Sequence, residues 1–214
     1  MRIWIEAIVV LLILTNLKLI ASSRISACIR AVAVQGVLLG CMPLLAEQGP
    51  LTLRIAVLAG LTMLLKGIAF PWLLLNALRS ARVRREMEPF VGYAASLLIG
   101  AGILSLSIWM SRQLPMPFAV SSSLLVPLSL FTIMIGLFAV VSRRKAITQA
   151  LGYLVMENGI TAFGLIFAQQ EPLLVELGTL LDAFMAVFVM GITIFHINRE
   201  FDHIDTDRLS LLKG

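Results

Sequence analysis

Charge is scarce in this chain. Asp, Glu, Lys and Arg together make up 14% of its 214 residues, against about a quarter in an ordinary soluble domain. Paired cysteines are missing too. Cys28 and Cys41 are the only two and fall in one expected helix, where thirteen residues of separation put them about 20 Å apart, beyond the reach of a disulfide. There is no CxxC, no His/Cys cluster and no Gly-rich phosphate loop, so no pattern points to a metal, haem or nucleotide in this chain. What is abundant is apolar: 59% hydrophobic residues and a mean hydropathy of +0.98. A water-soluble enzyme, a disordered tail and a secreted disulfide scaffold are thereby excluded. The composition is that of a polytopic membrane protein.

A membrane helix needs about 20 predominantly apolar residues. Seven stretches meet this, at Ile3–Leu19, Ile25–Leu45, Leu51–Leu78, Phe90–Met110, Val120–Val141, Ala146–Ala168 and Leu173–Ile197. The expected fold is all-α, a polytopic transmembrane bundle of about seven spans. Pro50 and Pro172 sit where new helices begin, which suits a residue without an N–H. The first apolar run is expected to be an uncleaved span rather than a signal peptide, because further spans follow it. The chain divides into a four-helix region over 1–112 and a three-helix region with a short tail over 113–214.

The net charge of +5 and pI near 9.8 are those of a membrane protein with basic cytoplasmic loops rather than of a nucleic-acid binder. Thirteen of the seventeen basic residues fall on one side of the seven spans: Lys18, Arg24, Arg30, Arg79, Arg82, Arg84, Arg85, Arg143, Arg144, Lys145, Arg199, Arg208 and Lys213. The positive-inside rule then places the N-terminus outside and the C-terminus in the cytoplasm.

Three ionisable residues lie deep inside spans: Lys66 in the third, Glu157 in the sixth and Asp182 in the seventh. A charge at the bilayer centre costs at least about 2.5–3.5 kcal/mol on insertion scales, so such groups face protein or water and mark ion or proton paths. Glu157 is eleven residues in from Ala146, about 16 Å of rise, and Asp182 nine residues in from Leu173, about 14 Å. Both carboxyls therefore approach the midplane of a layer about 30 Å thick. The sixth and seventh spans are joined by a short turn and are expected to be antiparallel neighbours. Small or polar residues share the faces of these acids: Gln149, Tyr153, Thr161 and Gly164 with Glu157, Thr179 and Ala186 with Asp182. Asn158 adjoins Glu157. In the third span Thr62, Lys66 and Asn76 share a face, and Pro71 is expected to break the helix locally. Desolvation favours the neutral form of a carboxyl and a nearby ammonium the charged form, opposing pulls that suit a proton relay. The plainer reading is a buried lysine–acid pair that holds helices together. Gly92, Ser96 and Gly100 make a small-residue face expected to pack closely.

The run Arg143-Arg144-Lys145, then Gly152, then Met156-Glu157-Asn158-Gly159, resembles the second helix of the K-type subunit of respiratory complex I. Asp182 and the ending Ile204-Asp205 to Gly214 resemble that subunit's third helix and tail. The likeness covers Val120 to Gly214. Seven spans, this length, and Leu65-Lys66-Gly67 with Pro71-Trp72 resemble component E of the hydrogenase-4 and formate hydrogenlyase membrane arms. Glu157 falls about one turn later than the usual K-type glutamate, Asp182 stands where a glutamate is usual, and Lys66 has no K-type counterpart.

The resemblance implies a non-catalytic membrane subunit of an energy-converting complex in a bacterial or archaeal cytoplasmic membrane. Glu157, Asp182 and Lys66 would form a proton relay, with Tyr153, Asn158, Thr161 and Thr179 as its supporting polar face. The implied partners are antiporter-like membrane subunits, an H-type linking subunit and a peripheral hydrogenase arm. Nickel–iron and iron–sulfur centres would reside in those partners and no cofactor in this chain. Alternatives are a K-like subunit of a multisubunit cation/proton antiporter, a non-conducting spacer, and an independent secondary transporter. The last would favour a matched pair of broken helices, which the sequence does not offer.

Overall fold

The computed structural model describes residues 2–46, 53–80, 91–114, 123–143 and 146–167, and Gly191. Among them every regular element is helical: α1 (Arg2–Ala21), α2 (Ile25–Ala46), α3 (Leu53–Thr62), a π-helical segment (Met63–Ala69), α4 (Phe70–Ser80), α5 (Tyr93–Gln113), α6 (Leu125–Ser142) and α7 (Ala146–Phe167). Among the described residues five helices are long and apolar enough to cross a membrane, namely Ile3–Ala21, Ile25–Leu45, Ile55–Asn76, Tyr93–Gln113 and Leu125–Ser142. The third of these runs unbroken through α3, the π-helical segment and α4. The chain is a multi-pass membrane protein. The expected seventh span lies outside the described residues apart from Gly191.

Most helix boundaries match the sequence expectations to within a few residues, and the differences have local causes. The fourth expected span begins at Tyr93 rather than Phe90, because Gly92 is extended at the N-cap (ψ 154°). The fifth begins at Leu125 rather than Val120. Pro127 then falls in the first helical turn, where its missing N–H has no partner to lose. The irregularity expected at Pro71 takes the form of the π-helical segment just before it, in which the Phe70 N–H donates to the Leu65 carbonyl. Such widened turns are rare and concentrate at functional sites. Lys66 is in this segment.

Close packing is achieved through glycine. A Cβ on Gly136 would stand 2.3 Å from the Met156 amide nitrogen, and one on Gly152 would stand 2.7 Å from that of Val140. One on Gly159 would stand 2.6 Å from that of Ile133. As α7 runs from Gly152 to Gly159, its neighbours on α6 run backwards, so the two helices are antiparallel with their backbones touching. Gly36 of α2 does the same for the π-helical segment: its Cβ would lie 2.5–2.7 Å from the Lys66 backbone and Cβ. On α5, Ser96 and Gly100 are buried and Gly100 faces Ile20, while Gly92 is exposed with open space around it. The close-packed face expected there starts one turn later than Gly92.

The core is layered along the membrane axis. One hydrophobic cluster gathers Ile20, Ile29, Phe70, Leu74, Phe131, Ile135, Leu151 and Val155; a second, towards the other end, gathers Ile5, Val9, Leu12, Leu39, Leu125 and Leu128. Between them in chain order lie the buried polar residues Asn16 of α1, Gln35 of α2, Ser129 of α6 and Glu157 and Asn158 of α7, and Thr132 and Lys66, bonded to Asn16 and Glu157, are buried with them. The ends of α1 and α6 and the starts of α2, α5 and α7 meet at one side. Arg143 ties them together by donating to the Ile20 carbonyl (3.0 Å) and lying over the Tyr93 ring.

Gly36→Ala is expected to destabilise the chain by about 1–3 kcal/mol, since backbone must move to admit the methyl group. Gly102 of α5 has nothing within 4 Å of its would-be Cβ, so Gly102→Ala is expected to stabilise by about 0.5–1 kcal/mol. Unfolding of the two variants in detergent micelles checks both signs.

Candidate functional site

Lys66 enters the polar layer from the π-helical segment, and Glu157 enters it from the middle of α7, eleven residues from Ala146 and ten from Phe167. Their side chains meet as an ion pair, with Lys66 Nζ donating to Glu157 Oε1. The pair is withdrawn from its surroundings: Lys66 is 2% exposed and Glu157 0%. Lys66 Nζ also donates to Thr161 Oγ1. Thr161 lies one turn beyond Glu157 and spends its own proton on the Glu157 carbonyl (3.0 Å). The hydroxyl therefore acts as an acceptor towards the lysine, which an ammonium with three protons and no lone pair requires.

A second polar system begins on the next residue. Asn158 Nδ2 donates to Gln35 Oε1 (3.3 Å), and Gln35 Nε2 donates to Asn16 Oδ1 (2.8 Å) and Thr15 Oγ1 (3.1 Å). Asn16 Nδ2 donates to Thr132 Oγ1 (2.8 Å), whose proton goes to the Leu128 carbonyl (2.8 Å). The chain of donors thus runs from α7 through α2 and α1 to α6. It lets amide groups lie inside a bundle of apolar helices without loss of their hydrogen bonds, which would otherwise cost about 1–3 kcal/mol each.

Of the residues singled out in the sequence, the structure brings Lys66, Glu157 and Thr161 into contact. It places Asn158 beside them in the chain but bonded to Gln35 in the second system. Tyr153 is half-buried one turn before Glu157 and packs against the apolar core. Gln149 is exposed and donates instead to the Arg143 carbonyl (3.0 Å). Asp182 and Thr179 lie outside the described residues. Sequence reasoning passed over Asn16, Gln35 and Thr132. A signal for two of them was present: an amide side chain inside an otherwise apolar run, as in Leu14-Thr15-Asn16-Leu17 and Val34-Gln35-Gly36-Val37.

Among the described residues no group of three or more His, Cys, Asp or Glu side chains gathers at a metal-binding position. Among the described residues the layer offers one carboxyl, one ammonium, hydroxyls and amides, and of these the carboxyl, the ammonium and the hydroxyls can hold or pass protons.

The family model described as NADH-ubiquinone/plastoquinone oxidoreductase chain 4L matches residues 124–214. Those residues include α6, α7 and Glu157. Hydrogenase-4 component E of Escherichia coli (strain K12) is 30% identical over 149 residues, covering 70% of this chain and 69% of that protein. The chain belongs to the hydrogenase-4 component E family. The Shigella flexneri component E matches equally, and an uncharacterized protein of Mycobacterium tuberculosis is 34% identical over 94% of this chain and 92% of its own length. No solved structure matches the chain. This component E homologue thus combines a region related to chain 4L with helices α1 to α5 before it, and Lys66 comes from those preceding helices.

Removing one member of a buried ion pair leaves an uncompensated charge and costs about 3–5 kcal/mol, whereas removing both with retention of shape is far milder. Lys66→Met and Glu157→Gln alone are each expected to lower stability by that order. Combined, they are expected to lower it less than either alone. A double-mutant cycle of unfolding in detergent reads the coupling, and additive losses would contradict the contact.

Proposed function

We propose that this chain is a membrane-arm subunit of an energy-converting group 4 nickel–iron hydrogenase, of the hydrogenase-4 or formate hydrogenlyase type, and that it carries part of the intramembrane proton path. The observation that carries this reading is the Lys66–Glu157 pair, fully buried near the middle of two long helices, in a family whose characterised relatives are named as a hydrogenase component. Glu157 is the proton-holding group, Lys66 biases its charge state, and Asp182 in the expected seventh span is the next acid along. Thr161 accepts from the lysine, and Tyr153, Asn158 and Thr179 complete the polar face.

On this reading the fold has seven spans with the N-terminus outside and the C-terminus in the cytoplasm, in a bacterial or archaeal cytoplasmic membrane. Residues 1–112 form a four-helix region and 113–214 a three-helix region resembling the complex I K subunit. The partners are antiporter-like membrane subunits, an H-type linking subunit and a peripheral arm that holds the nickel–iron and iron–sulfur centres. The redox chemistry belongs to that arm, and this subunit moves charge rather than electrons.

One observation favours a second reading, a spacer that holds the arm together: the amide system from Asn158 to Thr132 is purely structural chemistry. The two readings separate in the double variant. With Lys66→Met and Glu157→Gln together, a spacer regains both complex yield and redox-driven acidification of inverted membrane vesicles. A relay regains the yield while proton movement per electron stays severalfold below wild type, as it does in Glu157→Gln alone. Full pumping in the assembled double variant would overturn the relay. Co-purification with antiporter-like subunits but no redox arm would move the host to a cation/proton antiporter.

A further inference from the structure

Arg143 stands at the end of α6 where a solvated loop charge was expected, yet it is 6% exposed. One arm of its guanidinium, Nη2, donates to the Ile20 carbonyl, and its Cζ lies over the Tyr93 ring, 5.0 Å from the centroid. The other arm, Nη1, is buried and has no hydrogen-bond partner among the described residues. A guanidinium is always charged and presents its donors as a planar fork matched to an oxyanion. A buried fork with one idle arm is therefore a recognition element aimed at an anion.

Arg143 lines a cleft between the α1–α2 and α6–α7 turns. Ser22, Ser23 and Thr148 line it together with the apolar residues Leu19 and Leu151. The Ser22 hydroxyl accepts from the Arg24 amide (3.3 Å), which leaves its proton available to donate. Four helix ends meet here, so the cleft lies where the hydrocarbon layer gives way to headgroups. Lys18 and Arg24 are exposed beside it in the chain, and the sequence adds Arg144 and Lys145 to the α6–α7 turn.

We propose that this cleft binds the phosphate of an anionic phospholipid. The Arg143 Nη1 donates to one phosphate oxygen and the Ser22 and Ser23 hydroxyls to others, with the acyl chains descending along the apolar helix faces. A phosphate has enough acceptor oxygens to engage several hydroxyls as well as the guanidinium, whereas a partner's carboxylate has two. The depth favours a lipid, since headgroups surround this level on every side and basic pockets between helix ends hold them. The site is separate from the Lys66–Glu157 pair and stands whether or not that pair relays protons.

The test is thermal unfolding of the full chain in a neutral detergent, titrated with phosphatidylglycerol, phosphatidylcholine or inorganic phosphate. Phosphatidylglycerol is expected to raise the wild-type Tm several degrees more than phosphatidylcholine, with no rise from inorganic phosphate. Arg143→Gln is expected to lose that difference. Arg112→Gln, which removes an exposed cation at the far end of α5, is expected to keep it and so controls for net charge. Equal responses to the two lipids, or an undiminished difference in Arg143→Gln, would overturn the proposal. An equal rise with inorganic phosphate would assign the site to a free anion and overturn the lipid. Should Arg143→Gln not fold, native mass spectrometry of the wild type from mixed micelles decides: preferential retention of phosphatidylglycerol supports the site, and no preference overturns it.

Discussion

An ammonium group at the middle of a bilayer costs at least about 2.5–3.5 kcal/mol on insertion scales unless protein or water meets it. In this chain it is met by a carboxylate from another helix, and much of the architecture follows from that need. For Lys66 to reach Glu157, the helix that carries it must come close to the bundle. Gly36 supplies the closeness, because no side chain larger than hydrogen fits between α2 and the Lys66 backbone. α7 must also present Glu157 at a fixed depth and rotation. The glycines at 136, 152 and 159 lock it against α6 backbone to backbone, which leaves little freedom to slide. The ion pair and the glycine contacts are therefore one design, since the charges make the close approach worthwhile and the glycines make it sterically feasible.

The polar layer contains two kinds of chemistry on adjacent residues of α7. Glu157, with Lys66 and Thr161, consists of groups that gain and lose protons or accept hydrogen bonds from those that do. Asn158, with Gln35 and Asn16, consists of amides, which neither ionise nor pass protons readily. Adjacent residues on a helix point about 100° apart. Holding Asn158 to Gln35 on α2 therefore fixes the direction in which Glu157 points. Bonding four helices through side chains chiefly of uncharged amides sets that rotation without adding a second buried charge beside the first.

Much of this was legible in the sequence, and the illegible part has a common physical cause. The apolar runs gave the helices because only length and hydropathy are needed to cross a bilayer. Lys66 and Glu157 stood out because charge is so rare in such runs. A buried lysine–acid pair was one reading of the sequence, but which acid Lys66 meets was not legible, because chain adjacency favoured Asp182 as the neighbour of Glu157 and periodicity says nothing about which distant helix lies alongside. Gln35 and Asn16 escaped because an uncharged amide is a weak signal until its partners are seen. Arg143 was read as a loop cation, since its position in a basic turn gives no hint that the carbonyl of Ile20 and the ring of Tyr93 await it. The widened turn at Met63–Ala69 was foreshadowed only as a break at Pro71, although the irregular turn itself carries the lysine.

The pair also limits how a proton can travel. As it stands, an ammonium and a carboxylate cancel, and moving one proton between them leaves the total charge at zero. A proton arriving from elsewhere changes that total, leaving an uncancelled cation in a dry apolar setting where charge is expensive. Arrival at Glu157 must then be matched by departure, or by a compensating charge nearby. The hydroxyl of Thr161 can reorient but cannot neutralise, and the amides of the second system can do neither. On the proposed reading, the compensating group has to be another ionisable residue within the membrane. Asp182, deep in the expected seventh span, is a candidate that the sequence provides within this chain, and on that reading the relay would be a coupled set of acids around one lysine rather than a single carboxylate acting alone.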